Sequence, residues 1–223
     1  MKALVYTGVE ELTYRDAADP VPADGEVLVR IESVGICGSD MHAFLGHDDR
    51  RPAPLILGHE GAGVTSDGRR VTINPLVTCG TCRSCKAGRD NLCATRQIIS
   101  MPPREGAFAE AVAIPERNLV EVPDHITLDQ AALAEPIAVS WHAVRLGREA
   151  APADMTESAL VIGGGAIGVA AAISLRAQGI QNVTLIDPNP TRRSYLEATA
   201  TYRIAAPEEI DGELFDITVD AVG

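Results

Sequence analysis

The sequence predicts a protein of the α/β plus β class, with a small β-barrel or sandwich in its first half and a parallel sheet flanked by helices in its second. Three observations predict it. Short strand-like runs punctuated by glycine and proline fill the region before Thr127. An alanine-rich helical stretch follows. From Ser158 onward, fully apolar strands alternate with helices, the pattern of a parallel sheet covered on both faces.

The elements follow in order. Lys2 to Tyr6 reads as an edge strand. Glu26 to Val34 alternates, with Val27, Val29 and Ile31 on one face, and Pro20, Pro22 and Gly25 punctuate the approach to it. Arg70 to Ile73 and Phe108 to Ile114 read as further strands. Thr127 to Gln130 forms a capping box, and Pro136 suits the first turn of the next helix, which should end at Gly147. Ala150 to Glu157 is a polar connection. Ala159 to Ile162 is an apolar strand, Gly163 to Gly168 a turn, and Val169 to Gln178 a helix closed by Gly179. A second strand, Asn182 to Ile186, ends at Asp187. Thr191 to Thr199 is helical, and Tyr202 to Ala205 and Phe215 to Val222 complete four parallel strands. The expected domains are 1–148, with a cysteine lobe at 76–96, and 149–223.

Composition sets outer limits. The chain has 223 residues, 46% hydrophobic and 22% charged, which suits a globular protein with a sizeable core. Only 4% are aromatic, so that core must be aliphatic. A formal charge of -12 repels nucleic acid and anionic membrane, so neither is an expected partner. The opening Met1-Lys2-Ala3-Leu4-Val5-Tyr6 is too short an apolar run for a signal peptide, and no stretch reads as a membrane span. The expected compartment is cytoplasmic. Five cysteines in a reducing compartment are not a disulfide framework.

Gly163-Gly164-Gly165-Ala166-Ile167-Gly168 fits G-x-G-x-x-G, with an apolar strand before it, a helix after it and an acidic residue closing the next strand. Gly163 permits the tight turn, Gly165 lets backbone approach a pyrophosphate, and Gly168 lets helix pack on strand. The first helical amides, at Ala166 and Ile167, face the phosphates. Asp187 would accept the adenosine ribose hydroxyls, which favours NAD. Arg192 and Arg193 are the counter-argument for NADP, since arginine can serve a 2′-phosphate.

Cys79-x2-Cys82-x2-Cys85-x7-Cys93 places four thiolates within reach of one tetrahedral zinc. Such a shell has no open position, so this zinc is structural. The fifth cysteine lies in Gly35-Ile36-Cys37-Gly38-Ser39-Asp40-Met41-His42, upstream of Gly58-His59-Glu60-Gly61.

In order, Gly-Ile-Cys-Gly-Ser-Asp, Gly-His-Glu, the four cysteines, Ala134-Glu135-Pro136 and the glycine turn resemble the medium-chain dehydrogenase superfamily, most closely its polyol, sorbitol and threonine dehydrogenase branch. The resemblance covers the whole chain. It implies a GroES-like catalytic domain followed by a Rossmann domain. It implies a catalytic zinc held by Cys37 and His59, with Glu60 and Glu135 as direct or outer ligands. A catalytic zinc needs about three protein ligands and an exchangeable position, which these residues can supply. The resemblance further implies that Ser39 takes the substrate proton and relays it towards His42. The implied reaction is hydride transfer from a secondary alcohol, in a polyol or sugar acid, to NAD, and the implied assembly is a homo-oligomer.

Other residues read as bland. Trp141 and His142 read as packing and polar satisfaction, and His47, Asp48, Arg50 and Arg51 as a solvated loop, the arginines being candidates for an acidic sugar. Phe44 and Met101 are candidates for a substrate cleft. Two departures from the family stand out: a shortened hairpin at Val64 to Arg70, and a dinucleotide fold with four of its six expected strands, hence an incomplete domain. The alternatives are a threonine or simple-alcohol dehydrogenase and, from another class, a non-catalytic zinc-stabilised dinucleotide-binding protein.

Overall fold

The computed structural model describes residues 1–152 and 154–222. The chain divides into two compact units, Met1–Glu135 and Pro136–Gly223. This boundary lies upstream of the 148–149 division expected from the sequence.

The first unit contains strands β1 (Lys2–Gly8), β2 (Glu11–Asp16) and β3 (Glu26–Gly35), helix α1 (Gly38–Phe44), and strands β4 (Leu55–Ile56), β5 (Glu60–Thr65), β6 (Arg70–Ile73) and β7 (Leu76–Val77). Helix α2 (Arg83–Lys86), strands β8 (Gln97–Ile98), β9 (Ala111–Pro115) and β10 (Leu119–Glu121), and helix α3 (Leu128–Ala132) follow. The strands form a five-stranded sheet in the order β10-β6-β5-β3-β9, a three-stranded sheet β2-β1-β4 and the pair β7-β8, all antiparallel. β1 is therefore not the edge strand expected; it lies between β2 and β4. Strand β2 leaves almost all its side chains in solvent, and its alternating pair, Leu12 and Tyr14, is exposed, so it has no buried face.

The alternation of β3 delivers Val29 into a fully buried aliphatic cluster with Val71, Ile99 and Ile114, and Ile31 packs against it. The register between β3 and β5 slips between Ile31 and Ser33. Gly63 faces the slip, where a Cβ would lie 2.0 Å from the Arg30 carbonyl oxygen. Beyond it the strands pair Gly35 with Glu60, which brings the Cys37 loop to the start of β5. At α3 the expected capping box is present. Thr127 Oγ1 accepts the Gln130 N–H at 3.2 Å, and Gln130 Oε1 accepts the Thr127 N–H at 2.9 Å.

The second unit holds most of helix α4 (Ala134–Ala150), then β11 (Ser158–Ile162), α5 (Ala166–Ala177), β12 (Asn182–Ile186), α6 (Pro190–Glu197), β13 (Arg203–Ala205) and β14 (Ile217–Asp220). α4 runs through Gly147, where the sequence reading ended it. An interior glycine costs a helix only about 1 kcal/mol, and the Arg145–Glu149 pair bridges that turn. Trp141, expected to pack, is 43% exposed.

The four strands are parallel, in the order β13-β12-β11-β14. Val161, Leu185 and Leu175 form the centre of the core. Small residues on α5, Gly168, Ala171 and Ala172, let that helix lie close to the sheet. Gly163 has φ +98°, which only glycine adopts readily. A Cβ on Gly168 would lie 1.8 Å from the Gly163 carbonyl oxygen. Among the described residues, no helix is long and apolar enough to cross a membrane.

These contacts separate two glycines of one motif. Gly168→Ala is expected to destabilise the second unit by about 1–3 kcal/mol, the usual cost of overpacking. Gly165→Ala, with nothing within 4 Å of its Cβ, should stay close to the parent. Denaturant titration of the two variants measures the difference.

Candidate metal centre

The loop from Cys79 to Cys93 gathers its four thiols around one point. Cys82 is the N-cap of α2, Cys85 lies within that helix, and a single 3₁₀ turn, Asp90–Leu92, delivers Cys93. Sγ–Sγ separations are 3.5 Å for Cys82–Cys85, 3.6 Å for Cys79–Cys93 and 3.9 Å for Cys79–Cys85. A tetrahedron of sulfurs at about 2.3 Å from a zinc has edges of ~3.8 Å, so the thiols fit that ion without rearrangement. The backbone amides of Thr81 and Cys82 lower the Cys79 thiol to about 5. Desolvation and the Cys82 thiol push Cys85 up to about 11. Several thiolates this close repel one another unless a cation lies between them.

A second convergence is built on the β3–β5 pairing. Cys37 is the N-cap of α1, and its N–H donates to Asp40 Oδ2 at 3.0 Å. Asp40 Oδ1 accepts the Gly58 N–H at 3.1 Å and lies 3.6 Å from His59 Nδ1. That distance exceeds a hydrogen bond, and the buried Nδ1 has no hydrogen-bond partner among the described residues. Cys37, His59 and Glu60 each offer one ligand atom, all within 4.8 Å of one another. His59 and Glu60 are buried and Cys37 half-buried.

The electrostatics call for positive charge here. Burial opposes protonation of His59, but Asp40 and the Cys37 thiolate outweigh it and raise the imidazole to about 10. His59 chiefly, with the amide and hydroxyl of Ser39, holds the Cys37 thiol below its ordinary range. Burial lifts the Glu60 carboxyl. It also lifts that of Glu135, with the negative charges of Glu60 and Asp40 adding to the effect. A divalent cation suits this donor set: three protein donors leave a fourth position open. Glu135 senses the charges of this group but is not within the 4.8 Å set. Ser39 lies half-buried in the first turn of α1, and His42 is exposed on the same helix, its ring centroid 6.4 Å from that of His47.

Sequence reasoning missed two residues near this site. Asp40 is one: it caps α1, ties Gly58 and faces His59, yet in sequence it is one acidic residue among many. Arg51 is the other, and it corrects the expectation of a wholly solvated loop. Arg50 and His47 are exposed, but Arg51 is only 5% exposed. Its Nε donates to the Ser100 carbonyl at 2.9 Å and Nη1 to the Ser39 carbonyl at 3.4 Å, and Nη1 pairs with Asp48 Oδ2 at 2.7 Å. A guanidinium tolerates burial when carbonyls and a carboxylate take its donors. Asp48 is three residues away, but Ser39 and Ser100 lie far along the chain, so no local signal announced the buried site. A cavity of about 590 Å³ in this unit has Asp40, Ile36, Met41, Phe44 and Phe108 in its wall. Phe44 is thus in the wall of a cavity, and Met101 pairs with Arg104 in an isolated bridge.

In the second unit, the glycine turn and Asp187 are joined directly. Asp187 is 1% exposed; its Oδ2 accepts the Gly164 N–H at 2.8 Å, and its Oδ1 accepts the Asn189 N–H at 2.8 Å. Arg192 Nη1 pairs with Oδ2 at 2.8 Å, and Arg193 donates to the Asp187 carbonyl at 2.7 Å. Burial would lift the Asp187 carboxyl, but Arg192 and the two amides hold it below the ordinary range. Both arginines weighed for a 2′-phosphate are therefore engaged with Asp187. Gly165 is the N-cap of α5, so the amides of Ala166 and Ile167 open that helix.

Comparison with known proteins fits this geometry. The Alcohol dehydrogenase GroES-like domain matches residues 23–124. L-galactonate-5-dehydrogenase of Escherichia coli (strain K12) is 35% identical over 226 residues, covering 96% of this chain and 64% of that protein. An uncharacterized zinc-type alcohol dehydrogenase-like protein of Haemophilus influenzae is 30% identical, covering 100% of this chain and 70% of that protein. The crystal structure of galactitol-1-phosphate dehydrogenase from Escherichia coli superposes with a TM-score of 0.86 at 26% identity, covering 100% of this chain and 69% of that one. The chain thus spans a little under two thirds of the length of its Escherichia coli K12 relative.

Two measurements test the site. Cys82→Ser is expected to remove one equivalent of bound zinc and to speed proteolysis within the Cys79–Cys93 loop, read by metal analysis and limited digestion. Arg51→Ala takes the donors away from the Ser39 and Ser100 carbonyls, while Asp48 keeps Arg50; it should cost about 1–3 kcal/mol in a denaturant titration.

Proposed function

We propose, on the premise that this chain belongs to the polyol branch of the zinc-dependent medium-chain dehydrogenase superfamily, that the protein oxidises a secondary alcohol of a polyol or sugar acid with NAD. One observation carries the reading: donor atoms of Cys37, His59 and Glu60 converge within 4.8 Å in the first unit. Bound there, zinc would supply a Lewis acid that brings an alcohol hydroxyl's pKa down towards neutrality.

The chain's own residues do the rest. Cys37 and His59 hold the metal, and Asp40 fixes the backbone on both sides of them. Glu60 and Glu135 provide carboxylates at and beside the site. The Ser39 hydroxyl takes the alcohol proton, and exposed His42 passes it to solvent. NAD, when bound, would supply the acceptor for the carbinol hydrogen and its bonding electron pair, leaving a ketone. The cysteines Cys79, Cys82, Cys85 and Cys93 hold a second, structural zinc with no open position.

The nucleotide would lie on Gly163, Gly165 and Gly168, its pyrophosphate at the amides of Ala166 and Ile167. Asp187 supports NAD over NADP, and the engagement of Arg192 with it supports the same choice. Similarity to an L-galactonate dehydrogenase supports a sugar-acid or polyol substrate.

A panel of polyols, sugar acids, threonine and simple alcohols, followed by NADH formation, tests the reading. Turnover should be confined to polyols or sugar acids. Cys37→Ser should lower kcat/KM at least about 100-fold, the upper end of what losing even an outer metal partner costs. His42→Ala should cost about 100-fold in kcat if it carries the proton. NAD binding without turnover of any alcohol by zinc-loaded protein would sink the enzymatic reading in favour of a dinucleotide-binding role.

A further inference from the structure

Gly35 ends β3 directly across from Glu60, the first residue of β5. Its backbone does not need glycine, since its φ is not among the positive values in this chain. The space beside it does. A Cβ built on Gly35 would lie 2.1 Å from Glu60 Oε2, 3.1 Å from Glu60 Cβ and 3.2 Å from Glu60 Cδ. Non-bonded carbon and oxygen atoms do not approach to 2.1 Å, so the Glu60 carboxylate occupies the volume in which any other residue would carry its side chain.

Glycine inside a strand weakens it and marks a place where another group comes close. Here that group is a buried carboxylate folded across the strand pair. The fold puts one Glu60 oxygen within 4.8 Å of both Cys37 and His59. An outward-extended Glu60 would leave those two donors without it.

We propose that Gly35 is the positioning residue for Glu60: its missing side chain is the berth that holds the carboxylate at the Cys37–His59 centre as a third donor. The proposal rests on the reading of Cys37 and His59 as zinc ligands. It makes position 35 a determinant of how firmly that zinc is held, although residue 35 has no donor atom of its own.

The test is a double-mutant cycle of Gly35→Ala, Glu60→Ala and the two together. Zinc affinity is read by competition with a chromogenic chelator, and Cys37→Ser identifies which of the bound ions belongs to this centre. Stability is read by thermal unfolding. Gly35→Ala and Glu60→Ala should each weaken zinc at this centre by a similar factor, on the order of tenfold or more. The double variant should be no weaker than Glu60→Ala alone, because the carboxylate that the methyl would displace is then gone and only the 3.1 Å contact with the Cβ of residue 60 remains. If Gly35→Ala is too unstable to purify, recovery of a folded protein in the double variant supports the same clash.

Wild-type affinity in Gly35→Ala, full additivity of the two substitutions, or failure of the double variant to fold overturns the inference while leaving the zinc site standing. Absence from the parent protein of any zinc that Cys37→Ser removes overturns both the inference and the proposed function.

Discussion

One buried carboxylate organises the first unit's chemistry. Asp40 is 2% exposed and accepts hydrogen bonds from the amides of Cys37 and Gly58. These two amides belong to separate segments, the start of α1 and the approach to β5. Asp40 therefore joins the residue before α1 to the residue before His59, and the oxygen that takes the Gly58 amide also faces the His59 ring. Burial penalises the charged carboxylate, but His59 chiefly, with the amides of Cys37 and Gly58, outweighs that penalty. Remove that tie, and neither Cys37 nor His59 has a fixed origin from which to converge.

The same logic recurs with opposite sign at Arg51. A buried guanidinium joins the Ser39 and Ser100 carbonyls and is balanced by Asp48. Ser100 itself has φ +70° and a buried hydroxyl without a partner among the described residues. Four backbone groups of this region, the amides of Cys37 and Gly58 and the carbonyls of Ser39 and Ser100, are thus met by charged side chains reaching across loops. The regular ladders of the five-stranded sheet lie beside this region and give it a rigid base.

How much of this was legible in the sequence follows from how local each interaction is. The glycine turn, the four-cysteine spacing and the Thr127 capping box are local: every partner lies within a few residues or repeats a spacing dictated by geometry, and each could be read directly. Cys37, His59 and Glu60 were legible only as a set, because no single one distinguishes a ligand from a packed side chain. Asp40, Arg51 and Gly35 were opaque as contacts. The partner of Asp40 is Gly58, that of Arg51 is Ser100 and that of Gly35 is Glu60, and nothing in a Gly, an Asp or a run of charges names a partner so far along the chain. The missed strand β2 failed for another reason: it is held by its backbone ladder and a few polar side-chain contacts, and it buries almost nothing. The compact units divide at Glu135 and not at 148–149 because Pro136 marks a helix start without marking which unit that helix belongs to.

The cysteine lobe differs from everything around it in how its stability must respond to temperature. From Cys79 to Cys93, only Cys93 is buried, so the segment has no apolar core. Opening it would bring little new hydrocarbon surface into water. The heat capacity of unfolding, which follows that surface, is therefore small for the lobe and large for the sheet beneath it. The sheet's stability must trace a curved dome with temperature, weakening on cooling as well as on heating. The lobe's stability must change along a nearly straight line, governed by the enthalpy of a few bonds at sulfur. Within one unit, two parts obey different thermal laws, although the short pair β7-β8 and the Arg117 side chain tie one to the other.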